Sequence, residues 1–263
     1  MTRYICIGAP YYIGQRFADR TEVEAIENSG IAAEIGAEWV EITPDFDSAT
    51  DPVIAVNRAL AQTVRAHGDC VPLVFASDCC FAMGLLKGLE PQRPAVIWYD
   101  AHGDFNTEET TPSGFLGGMP LAWLVGDGDQ KWMQGVGLDP VAQTDVIISD
   151  ARDLDPEEAV RLQNSHLIHL DKVSDLLTYA LPHKPVYIHM DTDVVDIEDL
   201  PGMNYPAPNG PSLPETNATL DRLAQETEIA GMLFSLWNDS LPPEGKSLAG
   251  VLSMVRTVVG AKT

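Results

Sequence analysis

Two short stretches hold the residues best suited to chemistry in this chain. In Asp100-Ala101-His102-Gly103-Asp104, a carboxylate, an imidazole and a second carboxylate stand at alternate positions. In Asp191-Thr192-Asp193, two more carboxylates follow the same spacing. Alternate residues of an extended segment project to one side, so each group can converge on a point. Carboxylates with an imidazole form a hard-to-borderline donor set that suits Mn²⁺, Fe²⁺ or Zn²⁺. An acidic turn with an exposed histidine is the plainer alternative for 100–104. Three costly polar groups at the end of an apolar strand weigh against it. Five ligand-type residues exceed what one metal with an open catalytic position requires, and point to two metal ions bridged by carboxylates.

A third stretch, Ser77-Asp78-Cys79-Cys80, follows another apolar run. A thiol at a strand's end, near a helix N-terminus, would be favoured in its ionised form and could bind metal, which makes one of the pair Cys79-Cys80 a candidate ligand. Taken alone, a buried packing thiol is the stronger reading. The adjacent pair cannot form a CxxC-type metal knuckle, and Cys6 is expected to pack in the core. His189 is read as a satisfied core or supporting histidine. His67, His166, His169 and His183 lack a carboxylate pattern and are expected at the surface or in the core.

These stretches need strands to position them, and the chain supplies apolar runs of strand length at 4–8, 39–42, 71–76, 95–99, 146–148, 167–170, 186–190 and 229–236. The runs are short, rich in Val and Ile, and apolar on both faces, as strands of a covered parallel sheet should be. Helical spacing falls between them. Asp51-Pro52 and Asp155-Pro156 each set an N-cap before a proline at the first helical position. Pro214-Glu215 begins a further helix, and the last is expected over 245–259. This alternation predicts an α/β fold with a mostly parallel sheet of about eight strands and helices on both faces. No repeat or linker divides the chain, so residues 1–263 are expected to form one domain. Two long polar connections, 101–118 and 191–213, leave the carboxyl edge of the sheet, where open α/β proteins bind ligands.

Composition narrows the partners. Sixteen Lys and Arg stand against 39 Asp and Glu, giving a formal charge of −23. Nucleic acid and anionic membranes are excluded as partners, because both demand a cationic surface. Such a field enriches cations, including metal ions and guanidinium groups, although solubility alone is the blander reason for it. No apolar run approaches the roughly 20 residues of a membrane span. Four cysteines are too few for a secreted disulfide scaffold. The N-terminal residues read as a strand rather than a signal peptide, so the expected location is the cytoplasm.

The motifs together resemble the ureohydrolases, the arginase and agmatinase family. Asp100 to Asp104 is similar to that family's DAHxD motif, and Asp191-Thr192-Asp193 to its later DxD pair. Asn106-Thr107 and Thr110-Thr111-Pro112-Ser113-Gly114 resemble the arginase stretch that contacts the amino-acid part of the substrate. Ile7-Gly8-Ala9-Pro10 with Gly14-Gln15, and Arg152-Asp153-Leu154-Asp155-Pro156, match two further segments. The resemblance implies an arginase-like three-layer fold and a binuclear manganese centre. Its ligands would be Cys79, Asp100, His102, Asp104, Asp191 and Asp193. It also implies substrate contacts from Asn106, Ser113 and Asp153, and a small-molecule or peptidyl arginine as substrate. A homo-oligomer is left open.

Three departures set this chain apart. Cys79 stands at the metal-ligating histidine of the family's GGDHS, Gly117 at the proton-shuttling histidine of SGNLHG, and Leu236 at a guanidinium-binding glutamate, with Asp239 as a substitute. Peptide arginases and hydroxyarginine hydrolases are atypical members with a similar pattern. Loss of the histidine at Gly117 is expected to widen the mouth of the pocket. The implied reaction is attack of a metal-activated water on a guanidinium carbon, with Asp104 as ligand and as the group that passes a proton to the departing amine. Its products are an ornithine-type amine and urea, or hydroxyurea. Two rivals are an amide or formimidoyl hydrolase with the same metals, and a catalytically silent metal-binding descendant.

Overall fold

The computed structural model describes residues 2–18, 21–238, 240–241 and 245–260. Its eight strands are β1 (Tyr4–Ala9), β2 (Glu38–Glu41), β3 (Val71–Ala76), β4 (Ala95–Asp100), β5 (Val146–Asp150), β6 (Ile168–Leu170), β7 (Val186–Asp191) and β8 (Ile229–Ser235). They form one sheet in the order β2-β1-β3-β8-β7-β4-β5-β6, and every pairing is parallel. The expected fold class is the one observed.

The helices are α1 (Glu22–Asn28), α2 (Ile31–Glu34), α3 (Pro52–Ala66), α4 (Ala82–Gly88), α5 (Pro120–Leu124), α6 (Lys131–Val136), α7 (Pro156–Asn164), α8 (Leu213–Glu226) and α9 (Lys246–Gly260). They cover both faces of the sheet. One apolar core joins Trp98, Val74 and Tyr187 to residues of α3, α4, α5 and α6. The other joins Ile97, Phe75 and Ile188 to α1, α8 and α9.

Helix starts follow local chemistry. The Asp51 carboxylate accepts the Val53 N–H at 2.8 Å ahead of Pro52, which has no N–H to leave open. Asp155 and Glu158 form a capping box at α7, as do Ser212 and Glu215 at α8. The last helix runs one residue beyond its expected end.

The strand order decides where the chemistry sits. In space β8 and β7 lie between β3 and β4, so the carboxyl ends of four neighbouring strands share one edge. Register sets Ala76 beside Ser235, and Ser235 beside Asp191. Tyr99 lies beside Met190, which brings Asp100 level with Asp191. The crossover from β3 to β4 leaves a crevice at this edge, and the long connections rise around it.

Candidate metal centre

A cavity of about 300 Å³ opens at that edge. Cys79, Asp100, His102, Asp104, Asp191 and Asp193 all line it, together with Asn106, Ser113 and Asp153. Cys80 does not line it. Each expected site residue therefore faces one space, although the local geometry differs from simple alternation.

Asp100 is the last residue of β4, and the chain turns immediately after it. Its Oδ1 accepts the His102 N–H at 2.7 Å, and its Oδ2 accepts the Trp98 indole N–H at 3.1 Å. Asp104 is not extended at all: its φ is 46°, in the left-handed region. That conformation costs a non-glycine residue about 1–2 kcal/mol. The Asp104 carbonyl accepts the N–H groups of Leu121 and Ala122, which ties the strained turn to α5. Gly103 is needed here because a β-carbon would stand 2.5 Å from Glu158 Oε1. The second pair is turned as well. Asp191 closes β7, and its Oδ1 accepts the Asp193 N–H at 3.0 Å across a single 3₁₀ turn.

The donors fall into two groups that share Asp100. One atom each of Cys79, Asp100, Asp104 and His189 lies within 4.8 Å of the others, and Asp100, His102 and Asp193 form a second such group. Cys79 Sγ also donates to Asp191 Oδ2 at 2.9 Å, and His102 Nδ1 is 3.0 Å from Asp193 Oδ2.

Burial lifts the Asp104 carboxyl well above the usual range, helped by the charges of Asp100 and Asp191. Asp191 is pushed up to about 7 by withdrawal from water and then by Asp193. Burial opposes charge on His102, but its bonds to Asp100 and Asp193 outweigh this and raise it to about 12. Carboxylates crowded away from water want positive charge. Asp104 Oδ2 is buried without any hydrogen-bond partner. Open carboxylate oxygens beside imidazole and thiol donors fit divalent cations.

Three expectations need correction. The Cys79 thiol is not predisposed to ionise: burial, then the charge of Asp191, raise it well above its ordinary value, and it donates a hydrogen bond instead. A cation must supply the charge that would make it a thiolate. His189 is not satisfied, because its Nε2 is buried without a partner. It stands two residues before Asp191 and so on the same face of β7, a relationship visible in the sequence and passed over. The mouth is not widened at Gly117, since the Phe115 ring fills the space where a β-carbon would be. Asn106 is already engaged: its amide donates to Asp155 Oδ2 at 2.9 Å and its Oδ1 accepts from Thr110 at 3.0 Å. Ser113 and Asp153 are exposed on the wall, with Asp153 Oδ2 3.9 Å from His102 Nε2. Leu236 is buried in the wall, and Asp239 lies outside the described residues.

The Arginase family matches residues 45–235, most of the chain. The chain belongs to the arginase family. Arginase of Bacillus subtilis is 32% identical over 226 residues, spanning 80% of this chain and 76% of its own. Its crystal structure superposes with a TM-score of 0.88 at 28% identity, covering 98% of this chain and 99% of that one. The N(omega)-hydroxy-L-arginine amidinohydrolase of Streptomyces lavendulae is 28% identical over 193 residues, 72% of this chain and 68% of its own. Arginase-family proteins are hydrolases known for binuclear metal sites, and the shared Asp100 gives this chain a donor arrangement of that kind. Among the described residues, no helix is long and apolar enough to cross a membrane.

Proposed function

We propose that this protein hydrolyses the guanidino group of an arginine side chain held in a peptide or otherwise modified, in preference to free arginine. The products are an ornithine-type amine and urea. We place two divalent cations, with manganese the family's usual metal, on Cys79, Asp100, His102, Asp104, Asp191 and Asp193, within a single domain of a cytoplasmic protein. The observation that carries the substrate choice is Leu236. An apolar side chain lines the wall where the resemblance implies a guanidinium-binding carboxylate. The rim favours the same choice. Tyr12, Phe115 and Tyr205 form an aromatic chain, with centroids 6.4 Å and 5.2 Å apart, and aromatic faces hold cations and apolar neighbours together. A formal charge of −23 favours a cationic peptide.

When bound, the cations supply positive charge that lowers the pKa of a water and stabilises charge developing at the guanidino carbon. The chain's own groups do the rest. Asp104, which lines the cavity among the other donors, takes a proton from the attacking water as a carboxylate. It then returns the proton to the departing amine nitrogen as the carbon–nitrogen bond breaks. Asp153 and Ser113, exposed on the wall, meet the part of the substrate beyond the guanidinium, while Asn106 keeps the loop in place.

A second reading, a hydroxyarginine hydrolase releasing hydroxyurea, is favoured by the Streptomyces lavendulae relative. Incubating the Mn²⁺-loaded protein with arginine, hydroxyarginine, agmatine and an arginyl peptide separates the readings through the urea or hydroxyurea released. The peptide is expected to show the highest kcat/KM. An equal or higher value for free arginine refutes the proposal, and activity on none favours a silent metal-binding protein.

A further inference from the structure

We infer that His189 is itself a metal ligand, binding through Nε2 beside Cys79, Asp100 and Asp104. This inner position is then a thiolate–imidazole site that selects zinc, or a cation of similar softness, over manganese. The inference rests on the metal centre proposed above and adds to it a ligand and a second kind of position.

The geometry carries it. One donor atom from each of the four residues lies within 4.8 Å of the others. Donors bound to one tetrahedral zinc at 2.0–2.3 Å lie about 3.3–3.8 Å apart, so closure by about 1 Å brings the group to bonding geometry. His189 is wholly buried, and its Nε2 has no partner. Asp104 Oδ2, in the same group, has none either. Two open atoms on two residues of one buried group call for an occupant, since buried polar groups are normally satisfied.

The rest of the imidazole is held as a ligand's would be. Nδ1 lies 2.9 Å from the Tyr187 hydroxyl. A hydrogen bond on the far nitrogen orients the ring, and with Nδ1–H donating to the hydroxyl oxygen Nε2 is left free to ligate, the usual support of a metal-bound histidine. The ring lies flat on Trp98, with centroids 3.5 Å apart and planes within 3°. The Trp98 indole N–H in turn holds Asp100 Oδ2. One side chain thus orients two members of the group.

Donor chemistry sets the preference. Thiolate and imidazole favour zinc and iron, whereas carboxylates and carbonyl oxygens favour manganese. The outer group of Asp100, His102 and Asp193 contains no sulfur. The two positions should therefore hold different metals when both are offered. A water bridging Nε2 and Asp104 is the competing occupant.

The test uses the full chain, stripped with chelator and titrated with Zn²⁺ and with Mn²⁺ against a chromophoric competitor. Wild type is expected to bind two equivalents, one of them preferring zinc. His189→Phe keeps the stack on Trp98 and removes the nitrogen. It should weaken that equivalent at least about tenfold and leave the other within about twofold, because even supporting residues cost ten- to hundredfold. Anomalous diffraction from zinc-loaded wild-type crystals, which needs no variant to fold, should place Nε2 about 2.0–2.1 Å from the inner ion. The inference is overturned if His189→Phe changes neither equivalent, or if Nε2 contacts only water. Wild type that binds no metal refutes the metal centre as well.

Discussion

Phe115 and Gly117 exclude one another's alternatives: a β-carbon at Gly117 would stand 2.4 Å from Phe115 Cε1. The histidine missing at this position cannot simply be put back. Gly117→His must first push Phe115 away from Tyr12 and Tyr205, its neighbours at the rim. If that rim holds the peptide, Gly117→His should raise KM for an arginyl peptide several-fold while leaving KM for free arginine nearly unchanged. Steady-state kinetics on both substrates check this. An equal rise for both would show that the rim does not discriminate.

Leu236→Glu is expected to move specificity the other way. Leu236 lines the cavity, and its backbone N–H is anchored to the Ala76 carbonyl at 2.9 Å, so the new carboxylate would be held at the wall. A charge-assisted hydrogen bond to a guanidinium contributes about 1.5–3 kcal/mol, or roughly ten- to hundredfold in affinity. The ratio of kcat/KM for free arginine to that for a peptide should rise by about that factor. A lower Tm should accompany it, since a carboxylate there adds to charges already crowded.

Much of this was legible in the sequence, for a reason that lies in the sheet. The inner strands of a covered parallel sheet are apolar on both faces, so β1, β3, β4, β5, β7 and β8 stand out as apolar runs, and the polar residues ending β4 and β7 mark the ligand edge. The short helices α1, α2, α5 and α6 gave no periodic signal, because fewer than two full turns cannot show one. His189 shares a face with Asp191 by spacing alone, but the contacts of its ring are not local. Trp98 comes to it from the neighbouring strand through the pairing of Trp98 with His189, which only topology reveals. Asp104 reached the cluster through a left-handed turn, where alternation happened to point to the right residue by the wrong route.

Arg152 is expected to be the residue that holds the second long connection in place. Its guanidinium donates to the carbonyls of Asp193, Val194, Ala207 and Pro208 at 2.9–3.2 Å, and to Asp150 Oδ2 at 2.8 Å. Arg152→Ala leaves Asp150 buried and unpaired, a change that typically costs about 3–5 kcal/mol. Urea unfolding should show a loss of that size, and limited proteolysis should cut within 194–208 sooner. Arg152→Lys should recover little, because a single ammonium cannot reach acceptors spread over four carbonyls. Full recovery by lysine would show that charge alone matters.

The metal-free protein is expected to lose stability as pH rises towards and beyond neutrality. Asp191 is held at about 7 in the folded chain, against about 3.9 for an aspartate in an unfolded one. Between these values the folded state keeps a proton that the unfolded state has lost, so stability falls as pH rises through that window. Asp100, Asp104 and Asp193, all raised by burial, push in the same direction. His102, raised to about 12, continues the trend above neutrality, because its extra proton is bound only in the folded state. Chelated protein should therefore melt at a lower temperature at about pH 7.5 than at about pH 5. Divalent cations displace these protons and take over the neutralising role, so the rise in Tm on adding metal should grow over the same interval. Thermal melts with chelator and with saturating Mn²⁺ or Zn²⁺ measure both quantities. A chelated protein whose Tm climbs towards neutral pH would mean that these carboxyls are ionised without metal, and that the crowding at the sheet edge is relieved in some other way.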